Sequence, residues 1–180
     1  MKRILTAVCC FALVTVPALA QKKAHMKGAM KMAMTDQQFI DMAAQTDMVE
    51  ANLGQLAQDA SDSQAVKDYG QMLVTDHTKD YQQLQTLAMG ASLTVPTAID
   101  AENNKKMIAP FHELKGAAFD RKYAMEMVAG HTKAIEVYKK EAAEAQDAAV
   151  KSYAEAALPT LEKHLAGAKD LTKAKAKMKM

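Results

Sequence analysis

The sequence predicts an all-α fold, a four-helix bundle built from two helix hairpins and a long crossover. Three observations predict it. Ala, Met, Leu, Lys, Glu and Gln dominate and aromatics make up only 5% of the chain, a composition that favours helix over sheet. Four stretches repeat apolar residues at spacings of three and four, the stripe of an amphipathic helix. Two of the breaks between them are short, which makes antiparallel hairpins, and one is long.

The first twenty residues stand outside that fold. Met1-Lys2-Arg3 is a basic start, Ile4 to Val16 is apolar, and Pro17-Ala18-Leu19-Ala20 closes the run with small residues. This is the pattern of a secretory signal peptide cleaved after Ala20, and it predicts an exported protein of the periplasm or one associated with the outer membrane. The apolar run is shorter than the ~18 residues of a spanning helix, and no later stretch approaches that length. Both cysteines, Cys9 and Cys10, fall in the leader. The mature chain therefore has no disulfide, thiolate nucleophile or thiolate metal site.

Residues 21–34 show no apolar period and read as a disordered Lys/Met-rich linker. His25, Met26, Met30, Met32 and Met34 lie in it. Thioethers beside an imidazole suit soft copper(I), and a low-complexity linker needs no such role. Thr35-Asp36-Gln37-Gln38 reads as a capping box that opens the first helix. That helix runs to about Ala60 on the stripe Phe39, Met42, Ala43, Thr46, Val49, Glu50, Leu53 and Leu56. Ser61-Asp62-Ser63 breaks the chain and offers N-cap side chains. The second helix runs to Gly90, with Val66, Tyr69, Leu73, His77, Asp80, Leu84 and Leu87 on one face.

Gly90 to Pro96 ends that helix. A shorter helix is expected over about Ala98 to Lys115, bent by Pro110 and stopped by Gly116. The third long helix spans about Ala117 to Ala145, with Phe119, Asp120, Tyr123, Met127, His131, Ile135 and Tyr138 on its stripe. Gln146-Asp147 breaks the chain again. The fourth helix spans Ala148 to about Lys173, with Val150, Tyr153, Leu161, His164, Ala168 and Leu171 inward and Pro159 in its course. Residues 174–180 read as a basic tail. Two hairpins and one crossover make a bundle of the ferritin-like kind over residues 35–173, with a short extra helix in the crossover.

The net charge of +2 is polarised. The segments 21–34 and 169–180 each carry +4, and the body between them carries −8. Basic ends on an acidic body read either as solvated tails or as a weak tether to an anionic envelope surface. An acidic, exported body argues against nucleic acid as a partner.

Each long helix brings an ionisable group into its apolar stripe: Glu50, His77, His131 and His164. Three histidines would all face the core by accident with a probability of roughly 0.08, if each has a ~3/7 chance of doing so. Counted from the two short breaks at ~1.5 Å per residue, the members of each hairpin are level to within about one turn. One carboxylate and three imidazoles suit Fe, Zn, Cu or Mn. Asp76, Asp80, Asp120 and Met127 are a second tier of candidates near them. The same residues also fit a metal-free hydrogen-bonded layer, with Glu50 ionised and Tyr69 and Tyr123 closing the remaining valences. His112, beside Pro110, reads as a surface residue. No nucleophile triad in context, phosphate loop or nucleotide fingerprint is present, and no catalytic residue is assigned.

Several segments resemble one known family: Glu50 with Leu53-Gly54-Gln55-Leu56-Ala57, Val66-Lys67 with Asp76-His77, Gly116 with Phe119-Asp120-Arg121-Lys122-Tyr123, His131, and Leu158 to His164. Together they resemble the bacterial domain-of-unknown-function 4142 family. The resemblance implies an exported protein of the ferritin-like superfamily, of the kind labelled as outer-membrane proteins, and implies no established activity. Ferritin-type di-iron bundles use Glu-x-x-His on two helices. That spacing is absent here, because Glu162-Lys163-His164 places its ends on different faces. Iron storage by the ferritin mechanism is therefore not expected.

Overall fold

The structure, a computed structural model, describes residues 34–177. The expected signal peptide, the expected linker as far as residue 33 with its Met/His motif, and residues 178–180 lie outside the described residues. Helix α1 is Asp36–Ala60, α2 is Gln64–Gly90, α3 is Ala101–Asn103, α4 is Gly116–Glu144 and α5 is Ala148–Lys177. No strand occurs among the described residues.

The helix ends follow from local chemistry. Thr35 Oγ1 accepts from the Gln38 amide at 3.2 Å and Gln38 Oε1 accepts from the Thr35 amide at 3.0 Å, the reciprocal capping box the sequence predicts. The link into α2 differs from expectation. Ser63 is the N-cap but its hydroxyl makes no capping bond. Ser61 Oγ instead accepts from the Ser63 amide at 3.0 Å and donates to the Asp120 carboxylate on α4. A buried carboxylate offers a hydroxyl a stronger acceptor than a backbone group would.

Helix α1 packs against α2, α2 against α5, α5 against α4 and α4 against α1. The first hairpin is close because Gly54 and Gly70 meet backbone to backbone. A Cβ on Gly54 would stand 2.5 Å from the Gly70 carbonyl oxygen. At one end of the bundle Asp36 accepts from the Gln146 amide at 3.0 Å and the Asp147 amide at 2.8 Å, tying the start of α1 to the α4–α5 link. At the other end Gly116, at φ +52°, places its Cα beside Asp62 in the α1–α2 link. The crossover thus travels the length of the bundle. All neighbouring helices are antiparallel.

That crossover lies along α1. Gln37 bonds both the amide and the carbonyl of Thr94. Gln45 does the same across the Ala98 carbonyl and the Asp100 amide. Two glutamine side chains therefore satisfy extended backbone that has no strand partner. The expected crossover helix is shorter and less regular than the sequence suggests. It starts at Asp100, whose Oδ1 accepts from the Asn103 amide at 2.7 Å. It then passes from α through a π segment, Asn104–Ile108, to a 3₁₀ turn, Ala109–Phe111. Pro110 lacks the amide that a regular turn needs. The fourth long helix runs through Pro159 and extends to Lys177, four residues beyond the expected limit.

The core has two apolar parts. One gathers Leu53, Val66, Leu73, Phe111, Phe119 and Tyr123 near the α1–α2 link. The other gathers Phe39, Ile40, Leu84, Ile135, Tyr138 and Val150 near the α4–α5 link. On every long helix the sequence between the two parts holds the polar candidates: Asp47 and Glu50, His77, His131, and His164.

Candidate metal centre

Glu50, His77, His131 and His164 are all buried and do converge. The imidazole ring centres of His77 and His131 each lie 5.2 Å from that of His164, and 6.1 Å from one another. One nitrogen from each ring can be chosen so that the three lie within 4.8 Å of one another. Glu50 Oε2 stands 3.1 Å from His77 Nε2 and 3.2 Å from His131 Nε2.

The outward nitrogen of each ring has an oxygen partner. His131 Nδ1 is 2.9 Å from the Met127 carbonyl, one turn back on α4. A carbonyl only accepts, so that nitrogen carries the proton. His77 Nδ1 donates to Asp47 Oδ1 at 2.8 Å. His164 Nε2 donates to Asp76 Oδ2 at 2.9 Å. Each bond fixes the ring's orientation and aims the opposite nitrogen inward, where it offers a lone pair whenever it is unprotonated.

The inward atoms have no such partners. Glu50 Oε2, His77 Nε2, His131 Nε2 and His164 Nδ1 are buried without a hydrogen bond. The short Glu50–histidine separations are ion-pair contacts whose alignment falls short of a geometric hydrogen bond. Buried polar groups are normally satisfied, and four orphans gathered at one point are exceptional.

Without an ion, the electrostatics favour an ionised Glu50 facing a charged His77. Burial pushes Glu50 up, but the charges of His131 and His77 outweigh it and hold the carboxylate down, at about 2. Burial pushes His77 down, and Glu50 and Asp47 outweigh that and raise it to about 10. Burial and the neighbouring His77 and His131 drive His164 down to about 4 despite Asp76. Burial raises Asp47 to about 7 against its bond to His77.

The second tier divides. Asp76 belongs to the site through His164. Asp80 lies one residue group away, accepting from Tyr153 Oη at 2.8 Å, and lines a cavity of about 150 Å³ with His77 and His164. Met127 contributes its carbonyl, while its side chain packs in the apolar core. Asp120 is not at the site. It lies eleven residues before His131 on α4, about 16 Å along a helix, and is bonded to Ser61. Tyr69 Oη donates to the His164 carbonyl at 3.1 Å. Tyr123 Oη is buried without a hydrogen bond, and burial and the Glu50 charge raise its pKa. His112 is exposed, as expected.

Asp47, which bonds His77 from behind, is the residue of this cluster that the sequence reading passes over. Its signal was present, since it lies four residues after Ala43 and three before Glu50, on the inward face of α1. Its carboxylate disguised it as part of the polar side.

Comparison with known proteins agrees with the segments quoted above. The family model described as Domain of unknown function (DUF4142) matches residues 21–171, and the chain belongs to that family. No curated protein and no solved structure matches the chain. Among the described residues no helix is long and apolar enough to cross a membrane. The class defined by fold and site is thus an all-α bundle whose buried histidine cluster could hold a metal ion.

Proposed function

We propose that this is an exported bacterial envelope protein that holds one transition-metal ion between Glu50, His77, His131 and His164, and that it serves metal handling or stress tolerance. The observation that carries the reading is the set of four buried, inward atoms without hydrogen bonds. Bonds from the outward nitrogens of the three rings support it. Carboxylate or carbonyl acceptors behind ligating imidazoles are the usual supports of a metal site.

Two of the donor separations already suit an ion, and the three imidazole nitrogens, within 4.8 Å of one another, would draw together around it. At metal–ligand distances of ~2.0–2.1 Å, the edge of a tetrahedral set is about 3.3 Å. The two Glu50–histidine separations, 3.1 and 3.2 Å, are close to that edge. Three imidazoles and a carboxylate suit Fe, Zn, Cu or Mn. Asp47, Asp76 and the Met127 carbonyl hold the rings in the ligating orientation. A metal-free layer fits less well. With the outward nitrogens protonated, the inward side has four acceptors, and a single proton on His77 bridges only some of them.

Export rests on the leader-like residues 1–20. The two +4 ends on an acidic body fit attachment to an anionic envelope surface.

Elemental analysis of mature protein, purified without chelator beside a His77→Ala/His131→Ala variant, tests the reading. About one ion per chain is expected in the parent and none in the variant. No metal in either would leave a hydrogen-bonded layer and an interaction module tethered by its basic ends. Metal in both would move the site to the Met/His-rich residues 25–34.

A further inference from the structure

The interhelix glycines Gly54, Gly70 and Gly167 are required by close packing. A Cβ on them would stand 2.5 Å from Gly70 O, 2.8 Å from Gly54 O and 2.9 Å from the Tyr69 ring, respectively. Gly130 is different. A Cβ there would meet only Glu50 Oε1, at the ordinary contact distance of 3.7 Å. A glycine inside a helix weakens it relative to alanine, and no neighbouring backbone demands this one. It immediately precedes His131 on α4. Its missing side chain leaves an opening between Glu50 and a cavity of about 500 Å³ in the groove between α1, α4 and the crossover.

The walls of that groove are largely apolar, with Met34, Met42, Val49, Met107, Met127 and Val137 among them. Its charged lining is acidic, with Asp41, Asp100 and Glu126 against Lys133, and its inner end is the Glu50 carboxylate. Apolar walls and net negative charge disfavour an anion. Glu50 Oε2 lies with the imidazoles, whereas Oε1 faces the Gly130 opening. The cavity on the opposite side of the layer, between α2 and α5, is smaller. It reaches His77 and His164 past Asp76, Asp80 and Lys79.

We infer that the α1/α4 groove and the opening at Gly130 form the access route by which a small neutral molecule, of the size and polarity of nitric oxide, dioxygen or hydrogen peroxide, reaches the metal beside Glu50. The inference rests on the metal reading above. Four protein donors leave a coordination position vacant on an ion that takes five or six ligands, and the groove supplies the approach to it.

Nitric oxide binding to anaerobic, iron(II)-loaded protein tests this, followed by stopped-flow absorbance and by the electron paramagnetic resonance signal of the adduct. Gly130→Leu closes the opening. Ala134→Phe fills the groove one turn from Gly130 and leaves every proposed ligand in place, so at unchanged iron content it carries the test if Gly130→Leu disturbs iron uptake. Ala157→Phe fills the α2/α5 cavity as the control. At least tenfold slower association is expected in the two groove variants at unchanged iron content, with the control near the parent rate. Equal rates in parent and Ala134→Phe would overturn the inference. Slowing by Ala157→Phe alone would also overturn it and place the route on the other side. A parent that takes up no iron(II) would end it as well. Elemental analysis of the native protein then tells whether the metal reading falls with it.

Discussion

The apolar core and the polar layer that divides it are buried to the same degree but are held by different physics. Around Phe119, the aromatic rings of Phe111 and Tyr123 lie at 5.6 and 5.3 Å, and the apolar contacts are made within the protein, with the Tyr123 hydroxyl the one polar atom of these three side chains. A few ångströms along each helix, four equally buried atoms face one another without hydrogen bonds. The first region is finished by folding. The second is a set of buried polar groups that folding brings together and supports from behind, and that could hold an ion. A mutation in the first should therefore be read in stability, and one in the second mainly in binding.

The largest effect expected from breaking that contrast lies in the apolar part. Phe119→Ala should destabilise the bundle by about 3–5 kcal/mol in urea unfolding, while the folded variant binds metal with unchanged stoichiometry. Loss of metal at full folding would show that the two regions are not separable. Saturating metal comes next. At a hundredfold excess over Kd it should raise stability by about 2.7 kcal/mol, and chelator should reverse this. An identical unfolding midpoint with and without metal would remove the layer from the ligand class.

The pH dependence sharpens the comparison. The folded pKa of His77 is raised to about 10 from its ordinary 6.5. In the metal-free protein its stabilisation is fully present below pH 6.5 and is lost as pH rises through 10. An ion requires the unprotonated nitrogen, so the two effects have opposite signs. Apparent metal affinity should rise by about tenfold per pH unit between neutrality and that pKa, with release of about one proton per ion, measured by calorimetry in two buffers. A flat affinity profile would contradict the assignment of His77. Asp47→Asn keeps the shape behind His77 but removes the carboxylate, and should weaken binding about 10–100-fold. The smallest effect belongs to the helix end. Thr35→Ala should cost about 1 kcal/mol and leave metal affinity untouched.

Much of this was legible in the chain because it depends on local spacing. Four stripes, a capping box and two short links specify four helices and two hairpins without knowledge of the packing. The level of Glu50 with His77, and of His131 with His164, follows from counting residues out from those links. The crossover was less legible. Pro110 signals an irregularity but not its form, and the clamp by Gln37 and Gln45 joins residues more than fifty positions apart. Asp120 shows the limit of a stripe. It is inward and buried, yet three turns from the histidines, because facing the core does not fix height.

By itself, then, the sequence determined the helices, their hairpins and the four inward groups, since periodicity and turn chemistry act over a few residues. Only the tertiary structure decided which atoms meet. Asp47 supports His77, Asp76 supports His164, and Gly130 opens a groove beside Glu50, because those relations depend on how four separate helices are rotated and packed against one another.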